Sequence, residues 1–154
     1  VSQGGVAVEA VEAHDAALVA ASESATDPLD RLVRIAGAYL DFAIEQPEQY
    51  RILFMSDRSG TGGARSIDDL GRTEGFQRVV LASADALDQG LIVGGDALEV
   101  TLNLWVVVHG IASLIVAHRT FGWAEPKAWL ASAVRQVIIT VGASVWQVDM
   151  VSRV

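Results

Sequence analysis

Leu104-Trp105-Val106-Val107-Val108-His109-Gly110-Ile111-Ala112-Ser113-Leu114 is the stretch that decides the fold of this chain. Continued through Ile115, Val116 and Ala117, it has only His109, Gly110 and Ser113 outside the hydrophobic set. Asp96 and Glu99 form a cap-like pair ahead of it, so a single helix is expected over about 97–117. A window of 21 residues is long enough to cross a bilayer. However, Glu99, Thr101, Asn103 and His109 fall inside it, and its flanks lack the Lys/Arg bias of an anchor, so no membrane is expected as a partner. Outside a membrane, a helix that is apolar nearly all round must be buried on more than one side. One side can pack on the domain's own core; the other needs a partner, and a second copy of the chain supplies it most simply.

Successive helical residues turn by about 100°. Trp105 and His109 then share a face with Ala112 and Val116, and Val107, Ile111, Leu114 and His118 lie roughly opposite, towards the partner. After a turn at Phe121-Gly122-Trp123, Pro126 starts a last helix with Leu130, Val134, Val137, Ile138, Val141 and Val145 on one stripe. Two such hairpins, one per subunit, would form a four-helix interface about a twofold axis. Its predicted residues are Val107, Ile111, Leu114 and His118 with Leu130, Val134, Val137, Ile138 and Val141.

Working back along the chain, Asp27-Pro28 with Asp30 opens a helix whose Leu29, Leu32, Val33, Ala36, Leu40 and Ala43 recur on one face. Pro47 ends it at Gln46, and a short second helix restarts there and runs to Phe54. Residues 56–65 read as a flexible loop. Ser66 and Asp69 resemble a capping box, opening a helix with Leu70, Phe76, Val79, Val80 and Leu87 that stops at Gly90. Gly71 and Gly75 should weaken its first turns by about 1 kcal/mol each. Val8, Val11, Leu18 and Val19 give a rough stripe for a helix near 6–22. No strand alternation persists, so the fold is all-α with about six helices. Residues 1–25 are expected as an N-terminal linker or helix remnant, and 26–154 as the domain.

The 154 residues make one domain with a sizeable core, 51% hydrophobic and 19% charged. Eleven Lys+Arg against nineteen Asp+Glu give a net charge of −8, which repels a phosphate backbone. There is no cysteine, which excludes disulfides, thiolate metal sites and cysteine nucleophiles and fits a reducing, cytoplasmic setting. No signal peptide is apparent, and a start at Val1-Ser2-Gln3 suggests a fragment. His109 and His118 are nine residues apart, about 180° around a helix, and cannot chelate together, so no metal or other cofactor is expected. His109 and Ser113 come within reach at i, i+4, but no acidic residue is placed to orient the imidazole, so no enzyme is expected. Gly60-Thr61-Gly62-Gly63 lacks the strand and the Lys-Ser/Thr of a phosphate loop, and Glu45 and Glu48 are solvated corner charges.

Tyr39, Phe42, Tyr50, Phe54, Phe76, Trp105 and His109 remain. Singly, each reads as ordinary core packing. Together they supply an apolar wall with a few donors, which is how small-molecule sites are built.

Three segments resemble the C-terminal regulatory domain of TetR-family (tetracycline-repressor-like) transcription factors. They are Asp27-Pro28-Leu29-Asp30-Arg31-Leu32, Ala38-Tyr39-Leu40-Asp41-Phe42-Ala43, and Gln46-Pro47-Glu48-Gln49-Tyr50-Arg51-Ile52-Leu53-Phe54. The stretch Leu104–Leu114 is similar to the Trp…His-Gly signature of the WHG subgroup, and the matches together span about residues 27–146. The resemblance implies an all-helical, homodimeric effector-binding domain that controls operator DNA through an N-terminal helix-turn-helix. Nothing before residue 27 resembles that reading head, and residues 1–25 carry no Arg or Lys. The expectation is a regulatory half without its head, with the seven residues above forming an apolar pocket for a lipophilic or aromatic effector and His109 as its polar reader. A helical carrier without DNA binding is the alternative, and an enzyme using His109 as acid–base group ranks third.

Overall fold

The computed structural model describes residues 3–55, 71–119, 122 and 125–151, with side chains over 8–55, 71–119, 122 and 125–138. Among the described residues there are six α-helices and no strand: α1 (Gln3–Glu23), α2 (Pro28–Glu45), α3 (Pro47–Tyr50), α4 (Glu74–Asp88), α5 (Ala97–Ala117) and α6 (Pro126–Val151). A π-helical turn, Arg51–Met55, continues α3.

The caps follow the sequence closely. The Asp27 carboxylate accepts the Asp30 N–H at 2.9 Å, with Pro28 in the first turn, and the N–H of Gln46 closes α2 on the Phe42 carbonyl. Asp96 likewise accepts the Glu99 N–H at 2.9 Å. The capping pair Ser66/Asp69, Leu70, the glycine loop, Phe121 and Trp123 lie outside the described residues. α4 itself begins at Glu74, capped by Thr73, so Gly71 sits in the turn before the helix and only Gly75 is in its first turn.

α5 runs through the middle, packed against α2, α4 and α6. It is long and apolar enough to cross a membrane by length and composition, a test that a buried core helix also passes. Val100, Leu104, Val108, Ala112 and Val116 are buried. Three neighbouring helices cover a wider arc than one face, and this corrects the two-faced assignment. Ile111, placed towards a partner by helical arithmetic, is 6% exposed and belongs to the subunit's own core. The stripe that does remain outside is Val106, Leu114 and His118, with Val107 and Gly110 half-buried beside it. In α6, Leu130 and Val134 are also interior, at 3% and 0% exposure, and have no surface to offer a partner. Val137 and Ile138 are half-buried, and the side chain of Val141 is outside the described set.

α1 lies against α2 and α4 and shares their core through Leu18. Residues 1–25, expected as a linker or helix remnant with a helix near 6–22, thus hold a helix, Gln3–Glu23, that packs on the domain. Its Asp15 carboxylate accepts the Gly75 N–H at 2.7 Å and the Glu74 N–H at 3.3 Å, capping α4 from another helix. A Cβ on Gly75 would stand 2.8 Å from Asp15 Oδ1 and 2.9 Å from Leu18 Cβ, so the glycine sets how closely α1 approaches.

Candidate ligand cavity and its polar anchor

α1, α2, α4, α5 and the π-helical turn line a cavity of about 70 Å³ that is partly open to solvent. Its rings are His14 from α1, Tyr39 from α2, Phe54 from the π turn, Phe76 from α4 and Trp105 from α5. Aliphatic side chains such as Leu32 and Val108 fill most of the remaining wall, and Asp15 adds a carboxylate. Local sequence explains the placement. Tyr39 and Phe42 ride the buried face of α2, and the Pro47 corner turns the chain so that Tyr50 and Phe54, four apart, bring their rings into a tilted contact with centroids 5.0 Å apart.

Four of the seven predicted pocket residues line the cavity: Tyr39, Phe54, Phe76 and Trp105. Phe42, Tyr50 and His109 do not. Phe42 packs edge-on against His14 with centroids 5.0 Å apart. Tyr50 is fully buried and faces His109.

His109 is an anchor behind the wall. Its Nδ1 lies 2.9 Å from both the Tyr39 and the Tyr50 hydroxyls. The Tyr50 hydroxyl also lies 3.1 Å from Ser113 Oγ and 3.3 Å from the His109 carbonyl, and Ser113 Oγ is 3.5 Å from Nε2. Trp105 stacks on the imidazole at 5.4 Å. Burial lowers the His109 pKa from its ordinary value. Burial is also the largest cause holding Tyr39 well above the usual phenol range, aided by Tyr50 and opposed by a hydrogen bond from Trp105. Tyr50 is raised by burial too, against hydrogen bonds with Ser113 and Tyr39. The single lone pair of Nδ1 can take one phenol proton, which suits a neutral imidazole with its proton on Nε2, and the Tyr50 hydroxyl can donate instead to the His109 carbonyl. The arrangement fixes the Tyr39 ring as a rigid part of the cavity wall. Among the described residues, the partners of the His109 ring are hydroxyls and not a carboxylate that would orient it for proton transfer.

Sequence reasoning missed His14 and Asp15. Their signal was in the stripe already drawn: Val11, His14, Asp15 and Leu18 stand at i, i+3, i+4 and i+7 and all line the cavity.

A family model for the tetracyclin repressor-like C-terminal domain matches residues 32–137. The chain belongs to that family. The match runs from the first buried turn of α2 into α6 and so takes in most of the cavity wall, the His109 anchor and the start of the last helix. A solved structure from Rhodococcus sp. RHA1, of a protein with unknown function, has the same fold as this TetR-like domain. The TM-score is 0.73 at 22% identity, over 90% of this chain and 70% of that one. No curated protein matches the chain.

Proposed function

We propose that this TetR-like domain is the effector-binding and dimerisation half of a transcriptional regulator in the bacterial cytoplasm. It senses a lipophilic or aromatic small molecule and passes its occupancy to an operator-binding helix-turn-helix outside this sequence. The observation that carries the reading is the ring-lined cavity, bounded on one side by α1, the most N-terminal helix described. An effector that fits one position of α1 better than another shifts the equilibrium by that difference in affinity and no more.

Dimerisation is supported by the outer stripe of α5. Val106 and Leu114 are 62% and 45% exposed, with Gly110 between them on the same stripe. A helical glycine costs about 1 kcal/mol relative to alanine, yet a Cβ at Gly110 would meet nothing within 4 Å in the subunit. A second α5 crossing at that bare backbone gives the glycine a use. Val107, Val137 and Ile138, all half-buried, keep some surface that such a contact could cover.

Native mass spectrometry of the gently purified protein tests both halves. The expected result is a dimer that retains a small apolar molecule. Val79→Phe, which fills the cavity from α4, should release the molecule and keep the dimer. A monomer with no retained molecule, and no thermal response to aromatic compounds, would reject the proposal.

A further inference from the structure

The cavity has more than an apolar character. Among the described residues, Asp15 is the one carboxylate that lines it, and no Lys or Arg does. Five rings share the wall with that carboxylate: His14, Tyr39, Phe54, Phe76 and Trp105. Asp15 uses one lone pair on each oxygen for the Gly75 and Glu74 N–H groups, which leaves it capacity towards a further partner. The protein as a whole carries a formal charge of −8, so its field concentrates cations and depletes anions.

We propose that the cavity takes a lipophilic cation, a quaternary or tertiary ammonium on an apolar body, with its charge held between Asp15 and the ring wall. The inference rests on the effector-binding reading above and names the chemical class of the effector. An ordinary apolar pocket rejects a charge because desolvation is not repaid. Here the carboxylate, and any ring that turns its electron-rich face to the guest, offset it, and a quaternary ammonium, whose charge is spread over its methyl groups, has the least hydration to lose. A carboxylate ligand would meet Asp15 with like charge and gain nothing from the rings.

The test uses a neutral and a charged molecule of one shape. Phenyltrimethylammonium and tert-butylbenzene differ by nitrogen for carbon, and phenylacetate supplies an aromatic anion. Calorimetric titration of the full chain at about pH 8 keeps an ordinary imidazole neutral. The cation should bind about tenfold tighter than its carbon isostere, and phenylacetate weakest. Asp15→Asn keeps an acceptor for α4 and removes the charge, and it should abolish most of the preference. Equal binding of the two isosteres, or tighter binding of phenylacetate, would overturn the charge assignment and leave an apolar effector standing. No binding by any of the three would overturn both. The comparison in the unaltered protein decides the matter even if the Asp15 variant fails to fold.

Discussion

Gly37 and Gly75 are both helical glycines, but their surroundings assign them opposite roles. A Cβ at Gly37 meets nothing within 4 Å, so Gly37→Ala should stabilise the fold by about 0.5–1 kcal/mol. At Gly75 the same methyl would press on Asp15 Oδ1 and Leu18 Cβ, and the second of these cannot swing away. Gly75→Ala should therefore cost about 1–3 kcal/mol despite its better helix propensity. Urea midpoints of the two variants should move in opposite directions; a shared direction would contradict the close approach of α1. His109 offers a second test. His109→Phe removes the ring nitrogen that the Tyr39 and Tyr50 hydroxyls share, leaves the buried Tyr39 hydroxyl without it, and should cost about 1–3 kcal/mol. The folded pKa of His109 is depressed, so its contribution is complete above the unfolded value near 6.5. As pH falls below that value the unfolded chain takes up a proton the folded one refuses, and stability drops until the folded imidazole also titrates. His109→Asn keeps an acceptor and cannot titrate. Its midpoint should fall less than that of the unaltered protein between about pH 8 and about pH 5; an equal fall would place the proton uptake elsewhere.

The helices differ in how far their sequence announces their place. α2 and α5 carry cap residues and dense apolar repeats, so their ends were legible to within a residue or so. Which side of α5 faces out was legible only in part: Leu114 and His118 are outside as expected, but helical arithmetic knows nothing of how many neighbours wrap the helix. Three do, and Ile111 goes inside while Val106 stays out. This separates two kinds of substitution. Val106→Glu or Leu114→Glu puts a charge on the outer stripe and should yield folded monomers, with thermal stability lowered only by the lost association. Ile111→Glu buries an unpaired carboxylate and should unfold the subunit itself. Light scattering after gel filtration, read beside circular dichroism, distinguishes the outcomes. A Leu114→Glu protein that remains a dimer would move the interface elsewhere. α1 was the least legible element: it is built largely from alanine and its Val8 is 56% exposed, so its stripe is faint. Its position depends on contacts that no local pattern contains, above all Asp15 reaching the start of α4 across 60 residues.

At the scale of the molecule, the question is which wall gives way when a guest enters. A cavity of about 70 Å³ is roughly half the ~150 Å³ that accommodates benzene in a designed void, so an aromatic effector that enters fully, and does not stand in the open mouth, pushes its surroundings apart. α5 is poorly placed to yield, being packed on α2, α4 and α6 and tied at its C-terminal end by Arg51, which donates to the Val116 carbonyl at 2.8 Å. Tyr39 is held from behind by His109. α1 differs in its place in the chain and not in its packing: it lies on α2, α3, α4 and the π-helical turn, and two hydrogen bonds from Asp15 join it to the first turn of α4. Occupancy should thus move α1 and the start of α4 together, and α1 leads towards the N-terminal side from which a reading head would be governed. Hydrogen–deuterium exchange at saturating phenyltrimethylammonium or tert-butylbenzene, whichever binds, should change protection in residues 8–23 and 73–78. Residues 104–116, at the centre of the bundle, should keep theirs. Changes concentrated in α5, with α1 unaffected, would mean that the signal leaves through the dimer face, and the coupling assigned to Asp15 would have to be abandoned.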